Sequence, residues 1–150
     1  MRKLMLIALL AAAAILGQQA ATAQQGTKSQ SKVLTRAEFD DLLTKSDQLL
    51  LIDVRRPDEV THIGGFPVYL SVQIGDLEKE LAWIPKDRLI VTVSNQAHRG
   101  AAAADILTKN GFKVAGTIGA ETYEKAGGTL TKIVPPPPTA NAGAQNKPAQ

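Results

Sequence analysis

Two continuous apolar runs dominate the hydrophobic pattern in the middle of the chain. They are LLLID, at Leu49–Asp53, and LIVTV, at Leu89–Val93. Neither run alternates strictly with polar residues, which is typical of strands that are buried on both faces of a parallel sheet. Weaker strands are predicted at Val33–Leu34, near Val68–Leu70 and at Lys113–Gly116.

Helical signals separate these strands. Thr35 and Glu38 have the spacing of a capping box, and Pro57 with Glu59 favours another helix start, with a negative charge near the positive end of the helix dipole. Strands that alternate with helices predict an α/β fold with a five-stranded parallel sheet and helices on both faces. The helices are predicted at 35–45, from 57, at 76–82, from about 100 to 110, and at 120–127.

The N-terminal segment has the pattern of a secretory signal peptide. Arg2 and Lys3 precede the apolar run Leu4–Gly17, and small residues follow at Ala21–Ala23. The apolar run is shorter than the roughly 20 residues that a membrane-spanning helix needs. We therefore expect residues 1–23 to be cleaved, so that the chain is exported to the periplasm or secreted without a membrane anchor. An uncleaved anchor is the alternative.

The remaining chain divides into three parts. Residues 24–32 are polar and lack periodicity, which predicts a disordered leader. Residues 33–134 carry all the strand and helix signals and form the predicted domain. Residues 135–150 begin with four prolines and contain few apolar residues, which predicts a disordered tail, with a docking peptide for an aromatic groove as the alternative.

Composition narrows the function classes. The chain has 17 basic and 14 acidic residues, and loss of Arg2 and Lys3 with the signal leaves 15 against 14. A near-neutral domain gives no basic face for nucleic acid. The absence of cysteine excludes disulfides, thiol catalysis and a cysteine-linked lipid anchor. Two histidines far apart do not predict a metal site, and we expect no metal or cofactor.

The loop after the second apolar run is the candidate site. Ligands of parallel sheets bind outside the carboxyl ends of the strands. This loop leads into a helix, so its N–H groups and the helix dipole should converge on a small anion. An ordinary polar surface loop is the alternative. The predicted anion-binding loop consists of Ser94, Asn95, Gln96, Ala97, His98, Arg99 and Gly100, with a fixed charge on Arg99 and a titratable one on His98.

Three segments resemble, in order and spacing, the signatures of rhodanese-like domains. LLLIDVRRPDEVTHIGG resembles the opening Asp-Val-Arg-x-Pro-x-Glu signature with its His-Ile and glycine. PKDRLIVTVSNQAHRGAAAADILTKNGF resembles the second, in which a strand ends in Cys-x4-Arg before an alanine-rich helix. IGAETYEKAG resembles the closing signature, with Tyr123 in place of tryptophan. The resemblance covers about Leu34 to Gly128. It implies a five-stranded parallel sheet and a six-residue loop around a thiolate that carries a persulfide sulfur.

Ser94 stands where the resemblance places that thiolate. A serine hydroxyl ionises far less readily than a thiol and cannot hold a sulfane sulfur. We therefore expect a non-catalytic module that binds a small oxyanion or a protein partner. A sulfurtransferase-class enzyme, by family membership, is the first alternative. A serine-dependent hydrolase, with His98 as the nearby base, is a more distant one.

Residues of the first signature are expected to support the site structurally. Asp53 and Arg55 match the family's Asp-x-Arg, and we expect them to pair with each other or with loop backbone, since buried charges need partners. Glu59 is predicted at a helix start. His62 matches the family's histidine, although Thr61 replaces the preceding glycine, and a structural imidazole is expected there.

Overall fold

The computed structural model describes residues 29–134. The predicted signal peptide, most of the leader and the predicted tail lie outside these residues. Among residues 29–134, no helix combines the length and apolar character that crossing a membrane requires. The strands are β1 (Leu49–Asp53), β2 (Leu70–Ser71), β3 (Leu89–Ser94) and β4 (Lys113–Gly119); the helices are α1 (Arg36–Leu43), α2 (Pro57–Ile63), α3 (Leu77–Glu80, continued by a 3-10 turn at Leu81–Trp83), α4 (His98–Lys109) and α5 (Ala120–Lys125).

The four strands form one parallel sheet in the order β2-β1-β3-β4. The two strong apolar runs are its central strands, and they pair in register from Leu49 with Leu89 to Asp53 with Val93. Because β1 and β3 pair without a register shift, their carboxyl ends lie side by side. The α/β class and the parallel sheet predicted from the sequence are confirmed.

The prediction of a fifth strand, at Val33–Leu34, is wrong. Val33 makes a single parallel bridge with Thr117, and Leu34 donates its amide to the Thr117 carbonyl at 2.8 Å. Thr35 caps α1 immediately afterwards, so the chain turns into a helix before a second ladder pair can form. Lys32, which the sequence assigns to the leader, already accepts the Thr117 amide at 2.8 Å. The sheet therefore has four strands and a one-residue bridge beside β4.

Apolar side chains pack on both faces of the sheet. Leu51, Val91 and Val93 contact the buried residues of α1 and α5 on one face. Ile52 and Ile90 lie on the other face with α3 and α4. Burial on both sides explains why the two central strands are continuous apolar runs, and it confirms that helices cover both faces.

The start of α1 agrees with the sequence prediction, and the start of α4 differs from it. The capping box at α1 forms as predicted, because Thr35 Oγ1 accepts the Glu38 amide and the Glu38 carboxylate accepts the Thr35 amide. Helix α4 begins at His98, earlier than the predicted start near Gly100. Part of the predicted loop is therefore the first turn of α4, which places its N-terminus directly after β3.

Candidate functional site

Ser94 lies at the carboxyl end of β3, next to the end of β1. Its side chain is 1% exposed, and its hydroxyl oxygen accepts the amide of Gly100 at 3.1 Å. The chain from Ser94 to Gly100 therefore closes into a ring joined by one side-chain hydrogen bond. No hydrogen bond within residues 29–134 joins the Ser94 hydroxyl to an imidazole, as a histidine-activated serine would require.

The loop reverses direction at Ala97. Ala97 has φ 69°, in the left-handed region that few non-glycine residues adopt. Its carbonyl accepts the Ala101 amide at 2.7 Å, the first hydrogen bond of α4. Within residues 29–134, the amides of Gln96, Ala97 and His98 donate no hydrogen bond. The amides of Asn95 and Arg99 likewise donate none, so within residues 29–134 five consecutive N–H donors are unpaired at the positive end of a twelve-residue helix.

Two buried threonines hold α4 against the sheet below the loop. Thr92 Oγ1 donates to the Gly100 carbonyl at 2.8 Å, and Thr117 Oγ1 donates to the Thr92 carbonyl at 3.1 Å. A Cβ on Gly100 would lie 2.2 Å from Thr117 Oγ1, so only glycine fits at this crossing. Neither threonine was predicted from the sequence to support the site. The sequence feature that could have identified them is a hydroxyl side chain inside a mostly apolar strand, at Thr92 in β3 and Thr117 in β4.

Gly119 supports the loop from β4. A Cβ at this position would lie 3.0 Å from the Asn95 carbonyl oxygen and 3.1 Å from the Ala97 nitrogen. The loop backbone thus rests directly on the end of β4. The Glu121 amide, at the start of α5, donates to the Asn95 carbonyl at 3.0 Å and fixes the loop from that side.

Arg99 pairs with Glu59 of α2. Its Nη1 and Nη2 donate to the two carboxylate oxygens at 2.8 and 2.5 Å, and Asn95 Nδ2 donates to the same carboxylate at 2.8 Å. The Glu59 side chain is 14% exposed. The hydrogen bonds from Arg99 lower the pKa of Glu59 from 4.5 to about 2, and the Arg56 amide contributes. The Arg99 charge, which the sequence analysis assigns to anion binding, is therefore already paired with the Glu59 carboxylate.

Asp53 and Arg55 form a buried ion pair at the end of β1. Arg55 Nη2 donates to Asp53 Oδ2 at 2.6 Å and Nε donates to Oδ1 at 2.9 Å. Arg55 Nη2 also donates to the Gly64 carbonyl at 3.0 Å, which ties the pair to the end of α2. Pairing with each other is one of the two arrangements that the sequence led us to expect. The pair fixes the α2 end against the sheet and leaves neither charge facing solvent.

Both histidines are exposed. His98 lies at the first position of α4, on the loop. His62 lies near the end of α2 and lines a cavity beside the loop. Among residues 29–134 no group of histidine and acidic side chains is arranged to hold a metal ion.

The cavity beside the loop has a volume of about 600 Å³. Asn95 is the loop residue that lines it, and α2 and α5 supply most of the remaining wall. The lining is rich in carboxylates, although Lys132 pairs with Glu124 at 2.9 Å. Its polar lining residues are Asp58, Glu59, His62, Asn95, Glu121, Glu124, Lys125 and Lys132.

Comparison with known proteins identifies similar chains. No protein-family model matches this sequence. The Bacillus subtilis protein named "Putative sulfurtransferase YtwF" is 26% identical over 88 residues, which are 59% of this chain and 84% of that protein. The crystal structure of a rhodanese-related protein from Thermoplasma volcanium has a TM-score of 0.58 at 19% identity, covering 69% of this chain and 98% of that one.

A second solved structure adds a different functional description. It is a Rhodopseudomonas palustris protein of unknown function, described as a possible tyrosine phosphatase, with a TM-score of 0.58 and 26% identity. The match covers 67% of this chain and 84% of that protein. Together these similarities establish the α/β rhodanese-like fold for the described domain.

Proposed function

From the rhodanese-like fold, we propose that this chain is a non-catalytic member of the sulfurtransferase family whose 94–99 loop binds a small oxyanion. Ser94 carries the proposal. It ends β3, it is buried at the base of the loop, and Ser-x4-Arg takes the place of the family's Cys-x4-Arg. The sequence contains no cysteine that could act in its place.

Sulfur transfer needs a thiolate that can carry a persulfide. A cysteine pKa near 8.5 is lowered by amide donors and a helix N-terminus, which makes the thiolate available at neutral pH. The Ser94 hydroxyl stays protonated in the same surroundings and cannot bind a sulfane sulfur. A serine-dependent hydrolase has no support in the geometry, because the Ser94 hydroxyl oxygen accepts the Gly100 amide and no hydrogen bond within residues 29–134 joins it to an imidazole.

The unpaired amides support oxyanion binding. N–H groups at a helix N-terminus attract an anion whether or not a nucleophile lies below them. A neutral hydroxyl also repels an anion less than a thiolate would. Because Arg99 already pairs with Glu59, the amides of Gln96, Ala97 and His98 supply the main attraction, and Arg99 contributes as the shared member of an ion pair.

Sulfurtransferase activity tests the first half of the proposal. The mature wild-type protein should transfer no sulfur from thiosulfate to an acceptor above background. Ser94→Cys should acquire measurable turnover, because the six-residue loop and its amides are present, and Ser94→Ala is the matched control without a nucleophile. Turnover in the wild type that Ser94→Ala abolishes would show that the serine is catalytic and that the proposal is wrong.

A titration followed by NMR tests the second half. Sulfate, thiosulfate and phosphate should shift the amide resonances of residues 95–101 first, and Arg99→Ala should bind them more weakly. Residues around Gly111, which is exposed and follows the C-terminal end of α4, the end opposite the loop, serve as the internal reference. Shifts spread evenly over the surface would contradict a site at the loop.

We further propose that the chain is exported. The supporting observation is the basic start, the apolar run and Ala21–Ala23, all outside the described residues. Mass spectrometry of the protein from its native cell should find a mature N-terminus at or near Gln24 in an extracytoplasmic fraction. Intact Met1 in a membrane fraction would refute this.

A further inference from the structure

The outer edge of β2 is open. In the order β2-β1-β3-β4, β2 is an end strand, and no strand among residues 29–134 pairs with its free side. The Val72 amide donates to the Asp53 carbonyl at 3.1 Å, and Asp53 is the register partner of Ser71. In a parallel ladder the residues on either side of Ser71 therefore bond to β1, and the amide and carbonyl of the exposed Ser71 point away from the sheet. Such unpaired backbone groups are a template for an added strand.

An apolar groove lies beside this edge, on the face of the sheet that α1 covers. It has a volume of about 520 Å³ and is bounded by the end of α1, by β1 and by residues 67–70. Leu43, Leu49, Val68 and Leu70 are among its apolar lining residues, and Val68 is 81% exposed. Since every second side chain of a strand points to the same face, an added strand would direct alternate side chains toward this groove.

The opposite face beside the edge is aromatic and acidic. Trp83 is 81% exposed, and with Asp76 and Glu80 it lines a cavity of about 340 Å³ that also contacts Ser71. Lys79 pairs with Asp76 at 3.0 Å, whereas Glu80 forms no ion pair within residues 29–134. An arginine or lysine side chain fits this surface, because it can stack on the indole ring while its charge faces the Glu80 carboxylate.

The charge of α3 and its N-cap distinguishes between possible occupants. The acidic residues there are Asp76, Glu78 and Glu80, and the basic residue is Lys79, which gives a net charge of −2. A second copy joined at β2 by a two-fold axis would bring two such helices to the same face of a continued sheet, where like charges repel. A strand that presents basic side chains on this face is attracted to it.

We propose that the edge of β2 binds an extended segment of a partner protein in which apolar and basic residues alternate. The segment adds a fifth strand by pairing with the backbone of Ser71. Its apolar side chains enter the groove lined by Val68, and its basic side chains lie against Trp83 and Glu80. This surface contains no residue of the 94–99 loop, so the proposal is independent of oxyanion binding.

Three short peptides, capped at both ends, test the proposal. The first has the sequence Thr-Val-Arg-Val-Arg-Val-Thr, the second replaces both arginines by glutamate, and the third contains the residues of the first in the order Thr-Val-Val-Arg-Arg-Val-Thr. In an NMR titration of the full mature chain, the first peptide should shift the Ser71 amide and the Trp83 indole N–H. It should bind about tenfold more tightly than the glutamate peptide and several-fold more tightly than the rearranged one.

Variants assign this binding to the edge. Ser71→Pro removes an amide that bonds to no group within residues 29–134, and it should weaken binding of the first peptide about tenfold. Glu80→Gln and Trp83→Ala change exposed side chains outside the core, and each should weaken it several-fold. Asp58→Asn, an exposed charge change on a residue that lines neither of these two surfaces, is the matched control and should leave the affinity unchanged.

Four results would overturn the proposal. They are equal affinity for the arginine and glutamate peptides, binding of neither, peptide shifts that do not include the β2 edge, and affinity unchanged in both Glu80→Gln and Trp83→Ala. Analytical ultracentrifugation without peptide tests the alternative occupant. A dimer that Ser71→Pro dissociates would show that a second copy binds this edge, and would also overturn the proposal.

Discussion

Replacing Glu59 by glutamine keeps the shape of the side chain and removes its charge. In the wild type, the carboxylate accepts two bonds from Arg99, at 2.8 and 2.5 Å, one from Asn95 at 2.8 Å and one from the Arg56 amide at 3.0 Å. Glutamine offers one acceptor oxygen and turns an NH₂ group toward groups that are themselves donors. The substitution therefore affects both fold stability and the charge available at the loop.

The stability loss follows from these contacts. Hydrogen bonds to charged groups contribute roughly 1.5–3 kcal/mol each, against about 1 kcal/mol for neutral ones. Because the Arg99 side chain is 36% exposed, water recovers part of the lost interaction. We expect Glu59→Gln to lower the free energy of unfolding by about 2 kcal/mol, as measured by urea denaturation.

Anion binding should change in the opposite direction. Without the carboxylate, Arg99 is free to donate to a ligand, and a negative charge has been removed from the edge of the loop. Sulfate affinity should rise about tenfold in the same NMR titration, equivalent to one gained charge-assisted contact. Asp58→Asn makes the same charge change one residue away, on an exposed pair with Arg56, and should alter stability and affinity little. Unchanged or weaker sulfate binding in Glu59→Gln, with the protein folded, would refute the reasoning.

The pH dependence gives an independent check. The folded-state pKa of Glu59 is lowered from 4.5 to about 2 by its bonds from Arg99. A lowered pKa means that this carboxylate contributes stability above about pH 4.5 and loses that contribution as the pH falls toward 2. The difference in unfolding free energy between wild type and Glu59→Gln should therefore shrink over this range. A difference that is constant down to pH 2 would contradict the ion pair.

Two further predictions concern the packing of α4 against the sheet and the buried ion pair at the end of β1, and urea denaturation measures both. Gly100→Ala should destabilise the protein by about 2–3 kcal/mol, because its methyl group would meet Thr117 Oγ1, whereas Gly75→Ala, with open space around it, should be close to neutral. Asp53→Ala should cost about 3–5 kcal/mol, because it leaves the fully buried Arg55 charge without its carboxylate. A loss below about 1 kcal/mol in either destabilising variant would show that the packing or the ion pair is unimportant.

The sequence alone determined the features that depend on local periodicity and local hydrogen bonding. The continuous apolar runs at Leu49–Asp53 and Leu89–Val93 required burial on two faces, and they are the central strands. The capping box at Thr35 and Glu38 depends on residues three apart, so it forms where predicted. The position of the 94–99 loop at a strand end also followed from order along the chain.

The number of strands required tertiary information. Val33 and Leu34 have strand-like side chains, but whether they extend the sheet depends on how much room remains before α1 and on the backbone of β4 at Thr117. Apolar periodicity describes which face of a segment is buried, and it carries no measure of how many ladder pairs a neighbour can accept. The one-residue bridge is thus a property of the assembled sheet.

The electrostatic character of the site was also decided by the tertiary structure. Arg99 and Glu59 are forty residues apart, and each has a separate local interpretation, one as an anion ligand and the other as a helix-start acid. The parallel pairing of β1 with β3 brings α2 and α4 to the same edge of the sheet, where opposite charges of partly buried side chains must meet. Sequence spacing identifies which charged groups exist near a strand end, whereas only the register of the strands determines which of them neutralise each other.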